Sequence, residues 1–167
     1  MPTHYKGTAD ERRALDLFIK LARAGDSFFA RVGVPMSEAG LTPTQFGVLE
    51  TLLHLGPATP SQLATKHLKS RNNLSVVIEN LDREGLIRRE RCPSDRRVQW
   101  IHLTDLGRER IVAAFPTFAT AVVQEASVLS AEEQDQLANL LKKLGLGHGE
   151  SGRCPSVIVE ECPPITN

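Results

Sequence analysis

Apolar residues along the chain fall into stretches of helical period separated by glycine, proline and short polar turns. The most informative stretch runs from Ser70 to about Glu84. There Leu74, Val77, Ile78 and Leu81 recur at i, i+3, i+4 and i+7, predicting a helix with one buried face. Its other face opens with Arg71, Asn72, Asn73 and Ser75, and Gly85 follows as a C-cap candidate. After the basic segment Leu86–Glu90 and a turn-like Cys-Pro-Ser-Asp, the run Val98-Gln99-Trp100-Ile101-His102-Leu103 alternates as a strand does.

Other helices are marked as clearly. Glu11–Val32 reads as one long helix with Ala14, Phe18, Leu21, Gly25, Phe28 and Val32 along a seam. Gly33–Gly40, with two glycines and Pro35, reads as a break. Thr42, Pro43 and Gln45 supply an N-cap, an N1 proline and an N3 glutamine for a helix reaching about Leu55, and Thr59-Pro-Ser-Gln62 repeats the signal. Thr104 caps a helix from Asp105 to about Val128, with Leu106, Ile111, Phe115, Phe118, Val122 and Ala126 inward and Pro116 expected to kink or split it. Ser130-Ala-Glu-Glu133 is a capping box opening a last helix, with Leu137, Leu140, Leu141 and Leu144 on one face, ended by Gly145.

A short helix, a polar turn at Lys69-Ser70 and the helix led by Arg71 have helix-turn-helix spacing. The hairpin that follows, tipped by Arg96 and Arg97, makes it a winged helix. The expected class is therefore mainly α (α+β): a winged helix-turn-helix over residues 41–104, an N-terminal dimerisation helix in 1–34, C-terminal dimerisation helices in 105–146, and an irregular tail over 147–167. Once the central helices pack together, the outer amphipathic helices have nothing left to cover within one chain. A homodimer is the economical solution, and its symmetry supplies a second recognition helix.

Composition changes this picture little. The chain has 167 residues, 41% hydrophobic and 24% charged, typical of a globular protein of about one domain. No run of some eighteen apolar residues and no signal sequence is evident, so a cytoplasmic location without membrane contact is expected. Charge matters more through its distribution than its sum of +0. Nine Lys/Arg against five Asp/Glu between Lys66 and Arg97 make that lobe net basic and the remainder acidic, an asymmetry that orients the molecule toward phosphate.

The wording LTPTQFGVLETLLHLGP, then SQLATKHLKSRNNLSVVIENLDREGLIRRERCPSDRRVQWIHLTDLGRE, resembles the MarR family of winged-helix transcriptional regulators. Its most specific parts are Asn80-Leu-Asp-Arg-Glu-Gly-Leu86 and Asp95-Arg96-Arg97, with Leu103-Thr104 and Gly107 following. Within the family, QFGVLE, NNLSVVIENLDREGL and LLKKLG look most like the branch that represses quinone- and catechol-detoxification genes. The resemblance implies a homodimer on a pseudo-palindromic DNA operator, usually repressing, released by a small phenolic or oxidant signal. It assigns DNA contact to Arg71, Asn72, Asn73 and Ser75. Val76 stands where many relatives are basic or polar. In the wing, Arg97 would enter the minor groove, braced by Asp95, with Arg96 near phosphate.

The chemistry fits these roles without requiring them. Arginine's fork matches guanine O6/N7 and asparagine matches adenine N6/N7, while a guanidinium exploits the negative potential of a narrow minor groove. Ser70, Asn72 and Asn73 equally suit capping, and Asp95–Arg97 equally suits a surface ion pair stiffening a turn. Thr59, Ser61 and Gln62 at a helix start suit phosphate or capping alike. Cys92, beside Arg91, is a redox candidate if positive charge lowers its thiol pKa, and otherwise an inert strand-end residue; Cys154 and Cys162 are expected to be reduced. Phe28, Phe29, Phe46 and His54 are candidates to line a pocket for an aromatic effector, or plain core. The five histidines show no ligand spacing, and no nucleophile elbow, phosphate loop or paired carboxylate appears, so no metal, cofactor or catalytic residue is expected. Two further readings remain: a winged helix serving only protein interaction, and an electrophile sensor acting through Cys92.

Overall fold

The computed structural model describes residues 4–67, 71–93, 95 and 97–146, with 71 and 72 for backbone alone. Helix α1 (Ala9–Val32) begins at a capping box between Thr8 and Glu11. A one-turn helix, α2 (Val34–Glu38), follows directly. Helices α3 (Pro43–Leu55) and α4 (Pro60–Lys66) lead to α5 (Arg71–Arg83), then strands β1 (Ile87–Arg91) and β2 (Gln99–Leu103), and finally α6 (Asp105–Ala126) and α7 (Ala131–Leu146). The class expected from the sequence, helical with a small antiparallel wing, is the one observed.

Local signals were followed closely. Thr42 N donates to Gln45 Oε1 (2.8 Å) while Gln45 N donates to Thr42 Oγ1 (3.2 Å), and Thr59 and Gln62 repeat this reciprocal pair at α4. Ser130 and Glu133 do the same at α7. Helix α5 ends in a Schellman turn: Gly85 takes φ +71°, its N–H donates to Asp82 O, and Leu86 N donates to Leu81 O.

Elsewhere the structure departs from the pattern. Residues 33–40 are not a plain break, because α2 forms there and buries Met36; proline is tolerated in a first turn, where its missing N–H has no partner to lose. Helix α6 is not split at Pro116 but runs unbroken from Asp105 to Ala126. Leu106, expected inward, is exposed, and the neighbouring Gly107 is buried instead. Helix α7 runs on past Gly145 to Leu146. The tail over 147–167 lies outside the described residues.

One core organises the winged lobe. Leu49 of α3, Leu63 of α4, Leu74, Ile78 and Leu81 of α5, Leu86, Ile87 and Ile101 of the wing and Ile111 of α6 all belong to it. Strands β1 and β2 pair antiparallel from Ile87 opposite Leu103 to Arg91 opposite Gln99. Ala58, between α3 and α4, adds a third one-residue strand, exchanging both backbone hydrogen bonds with Ile101 (3.2 and 2.9 Å). The outer helices differ. In α1, Val32 is buried and Phe28 half-buried, but Leu21 is exposed and Phe18 is 67% exposed. No residue of α7 is buried, and Leu137, Leu140, Leu141 and Leu144 all lie open.

Candidate nucleic-acid interface

The interface is built on α5. Leu74, Ile78 and Leu81 clamp its inner face into the core, so Asn73, Ser75, Val76 and Glu79 face solvent. The preceding helix is held in place from below. His67, at the C-terminus of α4, sets its imidazole against α3, with Nε2 3.2 Å from Thr51 Oγ1. A Cβ on Gly47 would stand 2.9 Å from that ring, so glycine gives the histidine room. Nothing in the spacing of the sequence marks His67 for this task, because its partner lies sixteen residues away.

The wing is fixed to α5 by an ion pair between Arg89 Nε and Asp82 Oδ2 at 2.9 Å. A second cluster lies along the sheet. Arg88 pairs with Glu90, and Glu90 Oε2 lies 3.3 Å from His102 Nε2 on the opposite strand. Burial and the Arg88 charge hold the His102 imidazole below its ordinary pKa, with Glu90 opposing them. The turn is braced by Asp95: its Oδ1 accepts from Arg97 N (2.9 Å), its carbonyl accepts from Val98 N (2.9 Å), and the Arg97 guanidinium lies 3.6 Å from the carboxylate. The Arg97 side chain is 94% exposed. A cation held by its backbone, with its head exposed and only loosely paired with Asp95, is suited to entering a groove lined with phosphate.

Thr104 joins this lobe to the next helix. Its hydroxyl donates to Gly85 O (2.7 Å) and accepts from Gly107 N (3.0 Å), and its own N–H donates to Leu86 O (3.2 Å). One side chain therefore caps α6 and seals the end of α5. The sequence shows the cap but not the second bond.

The remaining candidates are dispersed. Ser70 and Arg96 lie outside the described residues. Arg71 and Asn72 open α5. Thr59 and Gln62 are engaged with each other, and Ser61 is exposed at the start of α4. Cys92 is not in a disulfide and lies buried, 7% exposed, at the base of the wing, where its N–H donates to Val98 O. Phe28 and Phe29 meet edge to face at 6.0 Å on α1. Phe46 is buried against Phe118 and Phe115 of α6, at 4.8 and 6.3 Å, and the exposed His54 adds its edge to Phe115 at 5.9 Å. Of the four effector candidates, Phe29 alone lines the groove of about 480 Å³ between α1, α2 and the start of α3, together with Gly33, Val34 and Pro43. Among the described residues no three His, Cys, Asp or Glu side chains gather as a metal site, and no single helix is long and apolar enough to cross a membrane.

The model of the MarR family matches residues 41–98, from the start of α3 through the wing turn. A relative from Bacillus subtilis (strain 168), the HTH-type transcriptional regulator YkoM, is 39% identical over 134 residues, which make up 80% of this chain and 87% of the relative. The chain belongs to the MarR family. The HTH-type transcriptional regulator MhqR of the same organism is 34% identical over 134 residues, covering 80% of this chain and 92% of MhqR. Among solved structures, Sco3205, a MarR family transcriptional regulator from Streptomyces coelicolor in complex with DNA, superposes with a TM-score of 0.75 at 26% identity, over 90% of this chain and 95% of that one. The protein is a MarR-type transcriptional regulator with a winged helix, not an enzyme.

Proposed function

We propose that this MarR-type regulator is a repressor that binds a pseudo-palindromic operator as a homodimer and is released by a small phenolic or quinone-type molecule. The observation that carries the reading is a division of surfaces. One lobe presents the outer face of α5 and the projecting Arg97, while the outer helices leave apolar side chains open, Phe18 on α1 and Leu140, Leu141 and Leu144 on α7. Monomers rarely expose so large an apolar surface, and a second copy would cover it. In the dimer, Ser70, Arg71, Asn72, Asn73 and Ser75 contact the major groove, and Asp95, Arg96 and Arg97 form the minor-groove wing. A winged helix used only for protein interaction has no need of a braced and exposed Arg97.

The aromatic side chains of Phe28, Phe29, Phe46 and His54 are the candidates to receive the effector, Phe29 lining the groove between α1, α2 and the start of α3. Burial of Cys92 favours reversible ligand binding over thiol chemistry, since reactive thiols are exposed ones. The test is selection of bound duplexes from random DNA, with the molar mass of the free protein measured by light scattering. Half-sites about 10 bp apart and a mass of twice the chain are expected. A monomer, or no selected motif at low salt, overturns the proposal. Repeating the selection with phenols and quinones added tests release, and binding unaffected by every one removes the effector from it.

A further inference from the structure

We propose that Val76 reads the 5-methyl group of a thymine in each half-site. This rests on the reading of α5 as the helix that enters the major groove. At about 100° per residue, Val76 stands roughly 200° around α5 from Leu74, so it points away from the core that holds Leu74, Ile78 and Leu81. It is 58% exposed. Among the described residues its side chain joins no apolar cluster, and a β-branched residue is a weaker helix former than the long polar residues that normally fill such a face.

Its surroundings are polar. Asn73 and Ser75 flank it, and one turn on, Glu79 lies 3.7 Å from Arg83, so that carboxylate is offset by a cation of its own helix. A lone aliphatic residue on an ordinary surface would mean nothing. This one lies at the middle of the face that confronts base edges, and the thymine methyl is the apolar group that B-DNA displays in its major groove. Valine is also the stiffest of aliphatic side chains, with one strongly preferred χ1 rotamer in a helix, so it meets a methyl with little entropy to lose.

The experiment starts from the motif selected by the full-length wild-type protein. Each thymine is replaced in turn by uracil, symmetrically in both half-sites, which deletes the methyl and leaves base pairing intact. Wild-type protein should lose about fourfold in affinity per methyl, hence about fifteenfold for the symmetric pair, at one thymine position. Val76→Ala should show no loss at that same position. Because Val76 is exposed and alanine is the better helix former, the variant should unfold at or slightly above the wild-type temperature, and thermal melts of both proteins check this. Equal loss by the two proteins, or wild-type affinity indifferent to every uracil, overturns the assignment while leaving the operator reading intact. Failure to select any motif overturns both.

Discussion

Replacing Gly107 by alanine adds one methyl group at the point where α6 touches the turn that ends α5. A Cβ there would stand 2.0 Å from Leu86 O and 2.9 Å from Leu103 Cδ1. The first of these is backbone, which cannot swing aside as a side chain would. Restoring an ordinary contact of 3.4 Å requires the two chain segments to part by about 1.4 Å. That movement stretches the 3.2 Å bond from Thr104 N to Leu86 O and the 2.7 Å bond from Thr104 Oγ1 to Gly85 O beyond useful length. Two lost hydrogen bonds cost about 1 kcal/mol each, and residual crowding adds about 1–3 kcal/mol. Alanine's better helix propensity returns about 1 kcal/mol. A net loss of about 2–4 kcal/mol is expected, a large part of the stability of a domain this size. Urea unfolding at one fixed protein concentration measures it, since association would make the midpoint concentration-dependent. Gly145→Ala, where a Cβ meets nothing within 4 Å, serves as the control and should be neutral or slightly stabilising. A loss at Gly107 below about 0.5 kcal/mol, the range of ordinary surface substitutions, would refute the packing argument.

Arg97→Ala should leave the melting temperature unchanged, its side chain being almost wholly exposed, yet reduce the slope of log affinity against log salt by about one; an unchanged slope takes the wing out of the DNA contact. His102 gives a pH prediction: because its folded pKa lies below 6.5, the unfolded chain binds the proton more readily, so the stabilisation is complete above about pH 6.5 and is lost as pH falls through the lowered folded value. Stability measured between pH 7.5 and 5 should therefore decline more steeply in the wild type than in His102→Asn, and parallel curves would contradict it.

How far the sequence reached depended on the range of each interaction. The capping boxes at Thr42 and Thr59 join residues three apart, so their signatures are contiguous and both were legible. Gly85 and the Asp95 brace are local for the same reason. Helix α2 escaped because Val34-Pro35-Met36 carries no helical period, and its formation follows from packing against α6, where Met36 is buried. Leu106 was misplaced for a related reason. The close approach of Leu86 leaves space for no side chain, so glycine occupies the contact and the leucine turns outward. Pairs such as Asp82 with Arg89 and Glu90 with His102 depend on the Schellman turn and on strand register, neither of which a pattern of apolar positions specifies.

The same contacts constrain how a signal can act. The winged lobe is tied at four separate places: Ala58 to Ile101, Thr51 to His67, Asp82 to Arg89, and Thr104 to Gly85. Bending α5 against the wing would break one or more of them at about 1 kcal/mol apiece. The outer elements have exposed contacts of their own, Arg31 of α1 with Glu125 of α6 and Arg110 Nη1 of α6 to Ala39 O at 3.1 Å, while α6 shares the core of the lobe through Ile111, Phe115 and Phe118. A ligand alters DNA affinity only by binding two arrangements unequally, and the arrangement these ties leave easiest to change is the setting of α1, which buries Val32 alone, against α6. On the proposed reading, an effector seated among the aromatic residues there moves both recognition helices as rigid bodies. It changes the distance between the two recognition helices, so that they no longer match the half-sites, and leaves the reading of each half-site, Val76 included, as it was.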